Sequence, residues 1–162
     1  MKSTYKLGLA ATSLVFGASL IHPFGRVKQE RSDLPLFMGA GAPPEIASLV
    51  ERACQNCHSE RTEWPWYSYV APMSWLIEND VSTARMHMNL SRWKDYTVEQ
   101  RVDLLTRMAV EVRNRKMPLP KYLKMHAEAR LSSEEVQQLY SWAHRERKRL
   151  KAADTKGKAS TD

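Results

Sequence analysis

The sequence predicts an all-α fold, and three observations carry that reading. Apolar residues recur at steps of three and four along several stretches, the spacing of one helix face. Two of those stretches open with a capping box, Thr97-x-x-Gln100 and Ser132-x-x-Glu135, in which each end satisfies the other's backbone N–H. No alternation of short strands with helices suggests a βαβ unit. The 162 residues suffice for one compact domain with tails.

In chain order, the first element is apolar. Lys2 and Lys6 precede Leu7–Ile21, a run without a charged residue. Residues 1–24 therefore predict a signal anchor, with a cleaved signal peptide as the alternative. A spanning helix needs about 20 residues, which this stretch approaches only when extended to Tyr5 and Phe24. The expectation is a single-pass protein of a bacterial inner membrane with its main domain in the periplasm. The alternative is a soluble periplasmic protein. Residues 25–42 read as a linker, charged at first and then rich in Gly and Ala. Residues 43–151 form the expected domain, and residues 152–162 a small, polar, disordered tail.

Within the domain, Pro43 and Pro44 prepare a helix start, and Glu45 suits its positive end. Ile46, Leu49, Val50 and Ala53 make its inner stripe. This helix leads into Cys54-Gln55-Asn56-Cys57-His58, the pattern C-x-x-C-H. Two thiols three positions apart can each join one vinyl group of a single haem, and the following His can offer a neutral nitrogen to the iron. The competing readings of C-x-x-C are a zinc half-site, a dithiol redox pair and a disulfide. The chain holds no other cysteine, and its remaining histidines lack zinc-ligand spacing. One covalent haem c is thus the expected cofactor, with Cys54 and Cys57 as attachment points and His58 as iron ligand.

Glu63-Trp64-Pro65-Trp66-Tyr67-Ser68-Tyr69 follows, dense in aromatics and broken by proline. Trp64, Trp66 and Tyr67, with Trp75 beyond them, are the expected wall of the haem site. A helix is expected from Pro72 to Met88. The next opens at Thr97 with Val98, Val102, Leu105, Ala109 and Val112 as its stripe. Arg115-Lys116-Met117-Pro118-Leu119-Pro120 closes it. Prolines hold Met117 on a stiff loop, and a thioether is a common second axial ligand. Met117 is the expected one, with Met125, His126 or an open position as alternatives. The last helix opens at Ser132, with Val136, Leu139, Tyr140 and Ala143 inside, and ends in the basic run His144–Lys151.

The order of these motifs resembles the bacterial haem-binding domain family of small cytochrome-c-like proteins. The matching segments are Cys54–Ser59, Thr62–Ser68, Ala71–Leu76, Met117–Tyr122 and His126–Ser132. The resemblance spans about residues 44–145. It implies a cytochrome-c-like helical fold around one covalent haem and an N-terminal membrane anchor.

The formal charge of +7 admits nucleic acid, anionic membrane or acidic protein as partners. Nothing resembles a nucleic-acid fold. An acidic redox partner and the inner membrane are the expected partners, and electron transfer outside the inner membrane is the expected function. The alternative is a haem-based peroxidase-like enzyme or a gas or redox sensor with a displaceable sixth ligand.

Overall fold

A computed structural model of the full chain describes residues 2–25, 27, 33, 35–37 and 40–159. Among the described residues, five α-helices carry the fold: α1 (Lys2–Ser19), α2 (Pro44–His58), α3 (Met73–His87), α4 (Val98–Arg113) and α5 (Ser133–Ala159). Short 3-10 turns fill the connections at Trp66–Tyr69, Leu90–Asp95, Tyr122–Lys124 and Ala127–Ala129. Among the described residues there is no strand.

Helices α2, α4 and α5 bury apolar stripes at helical spacing. α2 buries Ile46, Leu49, Val50 and Ala53. α4 buries Leu105, Met108, Ala109 and Val112, and Thr97 closes its capping box with Gln100. α5 lies along α4 as its main partner and contributes Val136, Leu139, Trp142, Ala143 and Leu150 to the same core. Ser132 and Glu135 complete the second capping box, with N–H to oxygen distances of 2.7 and 3.1 Å. Between the two helices, Arg115 adopts φ 58°, the left-handed position that follows many helix ends. Its guanidinium donates to the Leu131 carbonyl at 2.6 Å and the Ser133 hydroxyl at 3.0 Å, joining the exit of α4 to the entry of α5.

Three expectations are corrected. Among the described residues no helix is long and apolar enough to cross a membrane. α1 stops at Ser19, contains Lys2 and Lys6, and interrupts its apolar run with Thr12 and Ser13. Its apolar part is well short of the ~20 residues a span needs. The expected single-pass anchor and the inner-membrane placement fall with it. The segment instead meets the α3 region: the Ala71 N–H donates to Ser19 Oγ (3.0 Å), Trp75 Nε1 donates to the Ile21 carbonyl (2.9 Å), and His22 Nδ1 lies 2.8 Å from buried Glu78.

The expected linker 25–42 is the second. Residues 26, 28–32, 34, 38 and 39 lie outside the described residues. Phe37 and Ala40, however, are core residues. The Phe37 ring meets Trp93 edge-on at 4.8 Å and Trp142 at 5.4 Å, so this stretch plugs the core near the α5 side. Third, residues 152–159 of the expected disordered tail are helical, because α5 continues past the basic run, and residues 160–162 lie outside the described residues.

Candidate cofactor site

α2 ends on the C-x-x-C-H motif, so Cys54, Cys57 and His58 occupy its last turn and a half. Positions i, i+3 and i+4 share one helix face, and this face holds both thiols and the imidazole together. The cysteines are unpaired thiols. Burial pushes the Cys54 thiol up to about 12, and the neighbouring Cys57 adds to the rise. Burial pushes Cys57 up to about 11, with Asp80 raising it further and Lys121 and Arg85 opposing. Both therefore stand as neutral thiols, unlike the low-pKa thiolates of redox pairs and metal sites.

Burial also holds the His58 imidazole below its usual range, although bonds to the Met88 and Ala84 carbonyls oppose this. Its Nδ1 donates to the Met88 carbonyl at 3.0 Å. That bond fixes the tautomer and leaves the Nε2 lone pair free, as an iron-ligating imidazole requires.

The chain after the motif is tightly held. Ser59, fully buried, donates to the Gln55 carbonyl at 2.8 Å. Thr62 donates to the Asn56 carbonyl at 2.8 Å, and Asn56 Oδ1 accepts from the Glu63 N–H at 3.0 Å. Arg85 of α3, also buried, donates to the Ser59 carbonyl (2.8 Å), the Thr62 hydroxyl (3.0 Å) and the Val27 carbonyl (2.9 Å). One side chain thus pins the motif's exit to the N-terminal segment.

Beside the motif lies a cavity of about 330 Å³, within the range of small-molecule sites. Its walls come from the motif (Asn56, Cys57), the aromatic loop (Trp64, Pro65, Tyr67), α3 (Met73, Leu76, Ile77, Asp80, Val81) and the loop after α4 (Leu119, Lys121, Tyr122, Lys124, Met125, His126). Lys121 and Asp80 form an ion pair at 2.7 Å. Asn56 Nδ2 donates to the Tyr122 hydroxyl at 3.1 Å. The Tyr122 ring stacks on His126 at 4.2 Å, and His126 Nε2 lies 2.7 Å from the Tyr67 hydroxyl. On α2, Arg52 donates to the Glu128 carbonyl at 2.6 Å and pairs with Glu135, which fixes the 126–130 turn against the helix that carries the cysteines.

The structure sorts the expected site residues into two groups. Cys57, Trp64 and Tyr67 line the cavity. Cys54 and His58 stand beside it on the same helix face. Trp66 is 78% exposed, and Trp75 spends its indole N–H on the Ile21 carbonyl; neither reaches the cavity. Met117 is half-buried against the hydrophobic core and is not among the cavity-lining residues. Its N–H is tied back to the Glu111 carbonyl at 3.2 Å. Tyr122, Lys121 and Asp80 are cavity residues with no expected role, and they are joined there by Met125 and His126, the expected alternatives to Met117. His126-x-Glu128 was the one available sign, because a His and a carboxylate two positions apart can bond on a turn. Among the described residues, no three His, Cys, Asp or Glu side chains cluster closely enough to hold a bare metal ion.

The sequence model of a family described as a haem-binding domain matches residues 14–145. Searches of curated proteins and of solved structures each gave no match. The matched span covers the motif, the aromatic loop, every cavity-lining residue and the start of the basic run.

Proposed function

The chain belongs to the haem-binding domain family, and from that premise we propose that it is a c-type haem protein that carries single electrons. One observation carries the reading: two neutral thiols and a tautomer-fixed, half-buried imidazole share one face at the end of α2, beside an aromatic-lined cavity. These groups suit a covalently held haem. A thiol keeps its proton until it adds to a vinyl group, and that addition needs no oxidant. The free Nε2 of His58 suits an iron, and the apolar faces of Trp64, Leu76, Ile77 and Val81 suit a porphyrin. When bound, haem supplies a one-electron iron couple. The chain's part is to hold the group, exclude water from it and orient His58 through the Met88 carbonyl.

A basic face supports an acidic redox partner. His144, Arg145, Lys148, Arg149 and Lys151 are all exposed on one stretch of α5. Buried Glu146 tethers Arg149 through two bonds at 2.6 and 2.7 Å. Complementary charge at such a face speeds encounter and weakens with salt. Met117, on the loop that supplies Leu119 and Lys121 to the cavity wall, would be the second protein ligand of the iron.

The test is expression of the full chain with a haem-attachment system, followed by mass measurement of the denatured protein. The wild type should carry one haem through denaturation. Cys54→Ala or Cys57→Ala should keep at most one thioether, and His58→Ala should lose the low-spin ferrous spectrum. Haem that washes out of the denatured wild type overturns covalent attachment. A far-red ferric band with no carbon monoxide response supports Met117. A carbon monoxide-responsive, high-spin spectrum overturns it and moves the function to catalysis or sensing.

A further inference from the structure

One peptide group stands directly behind His58. The Met88 carbonyl accepts from His58 Nδ1 at 3.0 Å, and the Asn89 N–H donates to the Tyr96 hydroxyl at 2.9 Å. That carbonyl and that N–H belong to the same peptide unit, and in a trans peptide they point to opposite sides. An unbroken line of hydrogen bonds therefore runs from the imidazole, through one amide, to a phenol oxygen. We infer that Tyr96 is a positioning residue for the iron ligand: acting through the Met88–Asn89 peptide, it strengthens the bond that orients His58 and makes His58 Nε2 a stronger electron donor, an inference that rests on the haem-protein reading.

The direction of each bond follows from chemistry. A carbonyl only accepts, so Nδ1 carries the imidazole proton. A backbone N–H only donates, so the Tyr96 oxygen accepts at the far end. An amide is one resonance-linked unit, and an acceptor on its N–H shifts electron density toward its carbonyl oxygen. The Met88 carbonyl then holds the Nδ1 proton more firmly. The imidazole gains imidazolate character, and its Nε2 becomes more basic. Bonds linked in this way strengthen one another by roughly 10–30% each. A more basic axial nitrogen favours the ferric over the ferrous iron, so the Tyr96 hydroxyl lowers the potential.

The peptide is held on every side. Met88 and Asn89 are extended, with φ −159° and −112°, where the chain leaves α3 for the 3-10 turn at Leu90–Asp95. The Met88 N–H donates to the Ala84 carbonyl at 2.9 Å, which anchors the peptide to the last turn of α3. Past it, the Asn89 side chain accepts from the Ser91 N–H at 3.0 Å and donates to Glu60 Oε1 at 3.1 Å. Glu60 is buried, two positions after His58, and its own N–H donates to Ser91 Oγ at 3.0 Å. The turn and the motif's exit are therefore knitted together around the amide. The Tyr96 ring is half-buried against the core and meets Trp93 edge-on at 6.1 Å, so its hydroxyl is aimed rather than free to swing. A hydroxyl that only satisfied the Asn89 N–H would serve stability alone. The other end of this peptide carries the imidazole, and that gives the hydroxyl a reach into the ligand.

The experiment compares Tyr96→Phe, which removes the hydroxyl and keeps the ring, with Thr97→Ala, which loosens the neighbouring helix cap and leaves the peptide untouched. In the haem-free full chain, nitrogen–proton NMR should find the His58 proton on Nδ1. Its resonance should move upfield in Tyr96→Phe, as a weakened bond requires, and stay in place in Thr97→Ala. In the haem-loaded full chain, Tyr96→Phe should raise the ratio of reduced to oxidised protein at a fixed poise by about twofold, the scale of one neighbour's contribution to a linked bond. Thr97→Ala should leave that ratio unchanged. A His58 proton that does not move in Tyr96→Phe overturns the inference, and so does an unchanged ratio in a chain that has taken up haem. Equal shifts in both variants also overturn it, since they mark a general loosening of the fold. A wild-type chain that takes up no haem overturns the haem-protein reading and the inference with it.

Discussion

At the scale of single residues, burial decides what the two cysteines can do. With thiols pushed up to about 11 and about 12, the thiolate fraction of Cys57 at pH 8 is roughly one in a thousand, against about a quarter for a free cysteine of ordinary pKa. Alkylation of the haem-free chain should therefore be hundreds of times slower than that of a model thiol. Its rate should rise about tenfold per pH unit until near pH 11, with Cys57 labelled before Cys54. Mass spectrometry of iodoacetamide-treated protein across a pH series checks both the slope and the order. The motif itself was legible because its chemistry depends on fixed spacing. The aromatic wall was only half legible. Trp66 and Tyr67 are neighbours in sequence, but the 3-10 turn at Trp66–Tyr69 sends one into solvent and the other into the cavity. No composition rule distinguishes them. The pairing of His126 with Tyr67 spans 59 positions and leaves no local trace.

At the scale of elements, the helices whose faces are paired were the legible ones. α2 buries the four residues its spacing marks, and α4 buries Leu105, Ala109 and Val112 from its expected stripe. Both capping boxes form as the residue types require. Thr97→Ala removes the hydroxyl that accepts the Gln100 N–H, and a lost cap of this kind costs about 1 kcal/mol. Urea denaturation should show that loss as a lower midpoint with an unchanged slope. Elements without a period were not legible. Phe37 and Ala40 lie in a stretch whose composition says linker, yet both are core residues. A single apolar residue in an irregular segment is placed by the pocket it fills, and that pocket is built by Leu90, Trp93 and Trp142 from far along the chain. α1 was misjudged for the opposite reason. Its apolar run is real, but the helix ends at Ser19, before the run reaches spanning length.

At the scale of the whole molecule, α4 and α5 form one packed unit, while the candidate cofactor site is built from α2, α3, the loop between them and the loop after α4. Arg85 is where the second unit is fastened. Three carbonyl or hydroxyl partners at positions 27, 59 and 62 converge on one guanidinium. Seen as cooperativity, this makes the backbone at Val27 and the motif's exit a single opening unit, since neither can leave without stripping a buried charge of partners. Arg85→Lys keeps the charge but cannot span the same fork of acceptors. In that variant, native-state hydrogen exchange should show the amides of Arg61 and Glu63 losing protection together, while those of α4 and α5 keep theirs. Equal loss across both units would mean that the molecule opens only as a whole. Separate loss in the first means that the region around the thiols can unlatch, admit a bulky planar guest and close again while the α4–α5 pair stays folded.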